Sequence, residues 1–316
     1  MSNDLDTAFA KRLHFLSRRA AILREVRAFF VSRGALEVET PILVPSPGLD
    51  VHLDAFEVPK ALGEKSHYLN TSPEYQMKVL LSEGFTALFQ ITKVFRRDER
   101  GIHHNPEFTM LEWYRAGASV EELRNETAEL VAHVTGKRVQ LGTRTIDCSP
   151  PFEERTLASL FEEYAGLRED AFLNLAHTDE DTFFRTLVED VEPKLALCTR
   201  PVFVTDYPTV FASLARRKDN DPRYSERFEL YLAGVELCNG FGELTDPKEQ
   251  RARFEADQRE RSRRGLPVYP IDESFLAALD RGLPACSGNA LGLDRLIALA
   301  CGTENIHDVL TFSRGT

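Results

Sequence analysis

The chain has 316 residues, 42% hydrophobic and 28% charged, a composition that excludes disorder and collagen-like repeats and is ample for one large core. Fifty Asp and Glu against 39 Lys and Arg give a formal net charge of −11, which excludes a surface built throughout to grip a nucleic-acid backbone. No apolar run reaches the roughly 18–20 residues of a membrane span, and the acidic start lacks the order of a signal peptide, so a cytoplasmic protein with no membrane partner is expected.

Residues 11–34 read as a helix, because Leu13, Leu16, Ile22, Val26, Phe29 and Phe30 recur mostly at helical spacing and Gly34 is a natural stop. Its other face carries Lys11, Arg12, Arg18, Arg19, Arg24 and Arg27, either a solvated stripe or a dock for an acidic partner. The run 35–44 is β-rich, with Pro41 marking an edge or interface. Ser119 and Glu122 form a capping box opening a helix to about Val134. Thr156 opens a second that ends at Gly166, and a third spans Phe183–Val191, stopping before Pro193. Strands are expected at 201–205 and 227–237, a helix start at Asp246-Pro247, then a Gly-containing strand 287–293 and a helix from Asp294. The five cysteines (Cys148, Cys198, Cys238, Cys286, Cys301) are dispersed with no Cys-x-x-Cys pair, which suits bystander thiols. There is no P-loop and no G-x-G-x-x-G after a strand. The predicted class is therefore α+β, an antiparallel sheet flanked by helices. Nothing forces a domain boundary, so 1–316 is read as one domain: a basic helix over 1–34 and a core over 35–316.

Chemistry concentrates in three places. Residues 95–114 pack arginines, His103, His104, acids and the only Trp into twenty positions; Arg96, His104, Phe108 and Glu112 on neighbouring strands could clamp a nucleotide. His103, His104 and Glu107 could also be metal ligands, though no third His stands at ligand spacing. In residues 228–243, a hairpin turning at Ala233-Gly234 pairs Tyr231 with Glu236 and makes Glu229 and Glu236 diagonal neighbours on one face. Such a carboxylate pair repels unless a cation lies between, and Mg²⁺ is the expected one. In residues 286–295, Gly288 and Gly292 open the backbone to a ligand and Arg295 starts a helix.

In order, these clusters resemble the signature motifs of class II aminoacyl-tRNA synthetases: Gly34–Leu43 the first, with Pro41 at the dimer-interface proline, Phe95-Arg-Arg-Asp98 the second, Gly288–Arg295 the third. Thr71-Ser-Pro-Glu74, His104–Tyr114 and Asn239–Leu244 are similar to the lysyl branch. Only about 34 residues precede the first motif, too few for the anticodon-binding OB barrel of lysyl-tRNA synthetases, and Ala290 replaces a motif glycine. Both features resemble the truncated synthetase paralogs that attach (R)-β-lysine to a lysine of elongation factor P. Asp98 stands where the second motif normally has Glu.

The resemblance implies an adenylate-forming ligase using ATP and Mg²⁺, acting as a homodimer, with elongation factor P as protein substrate rather than tRNA. It implies that Arg96 and Arg295 are catalytic and that Arg96, Arg97, Asp98, His104, Asn105, Phe108, Glu236, Leu237, Gly292 and Arg295 bind ATP. It places Mg²⁺ on Glu229 and Glu236, and (R)-β-lysine or lysine on Ser72, Pro73, Glu74, Glu112, Tyr114, Asn239, Glu243 and Ala290. The added methyl of Ala290 is expected to favour a β-amino group. A short synthetase that charges tRNA and a non-catalytic regulatory paralog are the alternatives.

Overall fold

In this computed structural model residues 2–63 and 65–312 are described, with side chains from Phe9 onward. Helix α1 (Ser2–Val31) starts nine residues before the expected helix and ends at its last apolar turn, ahead of Gly34 at φ +72°. Its buried face is Phe15, Ile22, Val26, Phe29 and Phe30; Leu13, expected there, is exposed. The basic stripe is largely engaged within the chain: Arg18 bonds Glu25 and the Val134 carbonyl, Arg27 bonds Glu37, and Lys11 faces Asp308.

The expected strand 35–44 is two short ones, β1 (Leu36–Glu37) and β2 (Leu43–Val44). Pro41 lies between them, lacks an N–H for a ladder, and the two halves join different sheets. β2, β3 (Glu57–Leu62) and β4 (Lys65–Leu69) form a three-stranded flap, followed by α2 (Glu74–Ser82). Next come β5 (Ala87–Phe95), β6 (Glu107–Ala116) and α3 (Val120–Thr135), whose Ser119–Glu122 capping box makes both reciprocal bonds, a cap that contributes about 1 kcal/mol.

A small hairpin, β7 (Arg138–Leu141) and β8 (Arg144–Asp147), leads to β9 (Glu153–Thr156). A helical crossover follows: α4 (Leu157–Ala165), α5 (Glu169–Thr178), α6 (Glu180–Thr186), a π-helical turn over 187–191, and α7 (Glu192–Leu195). The helix expected to stop before Pro193 instead continues past it. The wider π turn restarts the ladder so that Pro193 falls in the first turn of α7, where its missing N–H costs nothing. The crossover has its own core around Phe161, Phe172 and Phe183 and returns to β10 (Val202–Pro208).

The chain closes with β11 (Tyr224–Leu232), β12 (Val235–Gly242), α8 (Pro247–Arg263), α9 (Glu273–Gly282), β13 (Cys286–Gly292) and α10 (Leu293–Ala300). The main sheet runs β1-β5-β6-β13-β12-β11-β10-β9. It is antiparallel in its middle and parallel at both ends, where β1 meets β5 and β9 meets β10, so the expected antiparallel sheet is in fact mixed. One face buries Leu111, Trp113, Leu230 and Leu291 against α1, α3 and α10. Alternation turns Phe108, Met110, Glu112, Tyr114, Ala290, Asn239 and Glu229 to the other face. That face is the floor of the site.

β11 and β12 turn at Ala233-Gly234, both at positive φ, and Tyr231 pairs with Glu236 as the sequence indicates. A bulge then leaves Leu237 unpaired and shifts Glu229 opposite Asn239. Among the described residues no helix is long and apolar enough to cross a membrane, and all five cysteines are free.

Candidate active site

A cavity of about 700 Å³ lies on the sheet floor between the flap, the loop joining β5 to β6, and the helical crossover. One end is walled by arginines. Arg96 stands one residue past β5, with Glu99 3.0 Å from its Nη1 and the Phe108 ring 5.2 Å from its guanidinium carbon. Its buried Nε has no partner among the described residues, so the fork keeps donors for a ligand oxygen. Arg295, in the first turn of α10, donates to the carbonyls of His103 (3.1 Å) and Glu236 (2.8 Å). Its Nη2 lies 2.7 Å from His104 Nε2. Burial, then the Arg295 charge, holds His104 below its ordinary pKa, so a neutral ring accepts from Arg295. Gly292 lets this arginine lie close: a Cβ there would meet Arg295 Cδ at 3.3 Å.

Arg96 and His104 sit on the connecting loop rather than on strands as expected; Phe108 and Glu112 are on β6. Arg97 and Asp98 are outside the cavity wall. Arg97 turns to Asp54 at 2.6 Å, and Asp98 is 74% exposed beside it. Side chains fan outward through this turn, so Glu99, which the sequence reading passed over, is the carboxylate that faces Arg96.

On the hairpin, Glu229 is held by Arg227 (2.6 Å) and accepts from the hydroxyls of Tyr207 (2.6 Å) and Tyr231 (2.9 Å). Glu236 is 40% exposed, and its nearest guanidinium nitrogen, on Arg295, is 3.9 Å away. Partial desolvation by the cavity walls and the nearby Glu229 raise the Glu236 carboxyl above the ordinary carboxylate range. This is a site short of positive charge, and the pair fits a cation brought in with phosphate. Among the described residues no three of His, Cys, Asp and Glu converge to chelate an ion unaided, so phosphate and water would supply most ligands.

The other end is acidic. Ser72 donates to Glu112 (2.8 Å) and caps the Glu74 amide, while Tyr114 donates to the other Glu112 oxygen (2.6 Å). Lys78, fully buried on α2, bonds Glu74 and lies 2.5 Å from Glu243. Desolvation pushes Glu112 up to about 7 and Glu243 up to about 8, the latter against the pull of Lys78. Only Ser72 and Glu74 of this group line the cavity; Glu112, Tyr114 and Glu243 stand behind them, and Pro73 caps α2. A Cβ at Gly288 would collide with the Tyr114 ring, so that glycine is what admits the ring beneath β13. Lys78 was missed in the sequence, where the only signal is its position four residues after Glu74. Between the two ends, Asn239 accepts from Arg227 at 3.1 Å and Ala290 is flanked by Glu112 and Asn239. Asn105, Leu237 and Gly292 complete the wall.

Proteins named elongation factor P–(R)-beta-lysine ligase are 44% identical in Avibacterium paragallinarum and 45% identical in Klebsiella pneumoniae, each over 94% of both chains. One from Haemophilus influenzae is 43% identical over the same shares. Residues 3–316 match the family described as tRNA synthetases class II (D, K and N). On a match over nearly its whole length, the chain belongs to the class II tRNA synthetase family.

Proposed function

We propose that the protein is an ATP-dependent ligase that activates (R)-β-lysine as its adenylate and transfers the lysyl group to a lysine ε-amine of elongation factor P. The observation that carries this is the join, within one cavity, of a phosphate-fitting arginine end and an ammonium-fitting acid end, in a chain similar over 94% of its length to ligases so named. In the first step a substrate carboxylate oxygen attacks the α-phosphorus of ATP and pyrophosphate leaves. Arg96 faces the charge that builds on the α-phosphate, Arg295 binds the terminal phosphate, and Phe108 stacks on adenine. Glu229 and Glu236 would hold Mg²⁺, which would supply charge neutralisation on the phosphates. In the second step the acceptor amine attacks the adenylate carbonyl, an amide bond forms, AMP leaves and the amine gives up its proton. No residue of this chain is covalently modified. The reading includes a homodimer formed around exposed Leu36 and Ile42, either side of Pro41, and a cytoplasmic site of action beside the translation machinery.

The test is incubation with elongation factor P, ATP, Mg²⁺ and either (R)-β-lysine or L-α-lysine, reading intact partner mass. A lysyl-mass gain, larger with the β isomer, is expected. No gain while ATP–pyrophosphate exchange persists would overturn the acceptor and turn attention to tRNA.

Two predictions follow from the acid end. Ala290→Gly removes the methyl between Glu112 and Asn239 and is expected to shift the preference from β- toward α-lysine by about 10-fold or more, since one methyl is worth about 1–3 kcal/mol. An unchanged isomer ratio would show that the methyl does not select. The second concerns pH. Glu112 and Glu243 titrate above ordinary carboxylates, so the folded protein holds protons that the unfolded chain has released. Their contribution to stability is full below about pH 4.5 and is lost as pH rises through about 7 to 8. A bound diammonium substrate displaces those protons, so KM for lysine is expected to fall several-fold from about pH 6 to about pH 8. A flat profile would count against the acid end as the ammonium site.

A further inference from the structure

The sequence offered Arg19 as part of a basic surface, but the folded chain turns it inward. Its side chain is only 12% exposed, and Nη1 lies 2.6 Å from Oδ1 of Asp294, which is 2% exposed. Nη2 donates to Thr109 Oγ1 at 2.9 Å, and the Thr109 amide donates to Asp294 Oδ2 at 2.7 Å. Three residues 90 and 185 positions apart therefore close a ring that joins α1, β6 and α10.

The neighbours of that ring are the two walls of the nucleotide end. Thr109 follows Phe108 on β6, and Asp294 precedes Arg295 in the first turn of α10. A buried carboxylate left without a cation is strongly destabilising, so Asp294 holds its place only while one faces it. The N-terminus of α10 supplies part of that, and Arg19 is the guanidinium in contact. Removing it frees Asp294 to rotate toward the cavity that it lines. Arg295 would then lose the fixed backbone from which it reaches His103, Glu236 and His104.

We propose that Arg19 is a positioning residue for ATP, setting the distance between the Phe108 wall and the Arg295 clamp from the far side of the sheet. The proposal rests on the reading of Arg295 and Phe108 as nucleotide contacts. It opposes a partner-docking role for Arg19, under which adenylate formation would be spared and only transfer would suffer.

The experiment measures equilibrium binding of ATP with Mg²⁺ by calorimetry, and KM for ATP and for lysine by ATP–pyrophosphate exchange, in Arg19→Gln, Arg19→Lys and Arg18→Ala. Arg19→Gln is expected to raise Kd and KM for ATP about tenfold while KM for lysine stays within about twofold. Arg19→Lys, which keeps the charge, recovers most of the loss. Arg18→Ala, whose partners are Glu25 and the Val134 carbonyl, binds ATP as the parent does. Should Arg19→Gln fail to fold, Thr109→Val removes one side of the ring with little change of shape, and a rise of about threefold in Kd is expected. A folded Arg19→Gln, or in its place Thr109→Val, that binds ATP like the parent overturns the proposal, as does an equal rise in both KM values. A parent protein that binds ATP yet leaves elongation factor P unmodified would overturn the function and leave the role of Arg19 standing. A parent that binds no ATP would overturn both.

Discussion

Arg96→Ala is expected to lower kcat/KM for adenylate formation by about 10²–10³-fold, while the fold stays intact. Among the described residues the guanidinium bonds one acid, Glu99, and its buried Nε has no partner, so its spare hydrogen bonds are reserved for a ligand. Its place just past β5 is fixed by its own amide, which donates to the Pro106 carbonyl at 2.9 Å. Truncation therefore removes donors from the reacting phosphate without opening the core. Arg96→Lys is expected to recover little, because an ammonium cannot present two parallel donors to a phosphate. Pyrophosphate exchange with unchanged near-ultraviolet dichroism is the measurement. Exchange at more than a tenth of the parental rate in Arg96→Ala would remove Arg96 from the chemistry.

Lys78→Met carries the largest expected effect on stability, a loss of about 3–5 kcal/mol at neutral pH. Lys78 is fully buried between Glu74 and Glu243, and Glu112 and Tyr114 complete the cluster. Methionine fills the volume but leaves three carboxylates with no cation among them. They would then bind protons more tightly in the folded state than in the unfolded chain, so the loss should shrink as pH falls toward about 5. Urea titrations at about pH 5 and about pH 7.5 check this, and adding Glu243→Gln should restore part of the deficit. An equal loss at both pH values would show that packing rather than charge decides the cost.

What the sequence made legible was local. The Ser119 capping box, the Thr156 helix start, the Asp246 start and the Ala233-Gly234 turn depend on residues within a few positions of one another, and each stands where its pattern places it. Resemblance to a family supplied the rest of the candidate site as a set of positions. Their depth was not legible: Glu112 and Glu243 stand behind the wall, and Asp98 turns away where Glu99 turns in. Lys78 read as an ordinary helix residue, because its burial against Phe275 of α9 and beside Glu243 leaves no mark in its sequence neighbours. The Arg19–Asp294 contact has no periodic signature at all, since its partners meet only after the whole sheet has formed. Pro193 read as a stop because a π turn that re-phases a helix lies outside the α-helical spacing rules.

The bulge at Leu237 has a consequence for how the chain tolerates insertions and deletions. Glu236 and Asn239 are an odd three residues apart, yet both open to the cavity, because the unpaired residue resets the parity of the strand. Closing the bulge with the chain length unchanged would turn Glu236 into the apolar core or Asn239 and its successors away from the floor, whereas deleting Leu237 would leave Glu236 and Asn239 two apart and on one face. A strand otherwise readable as a simple alternation thus carries a frame, and the two halves of the site stay in phase only while that one supernumerary residue stays out of the ladder.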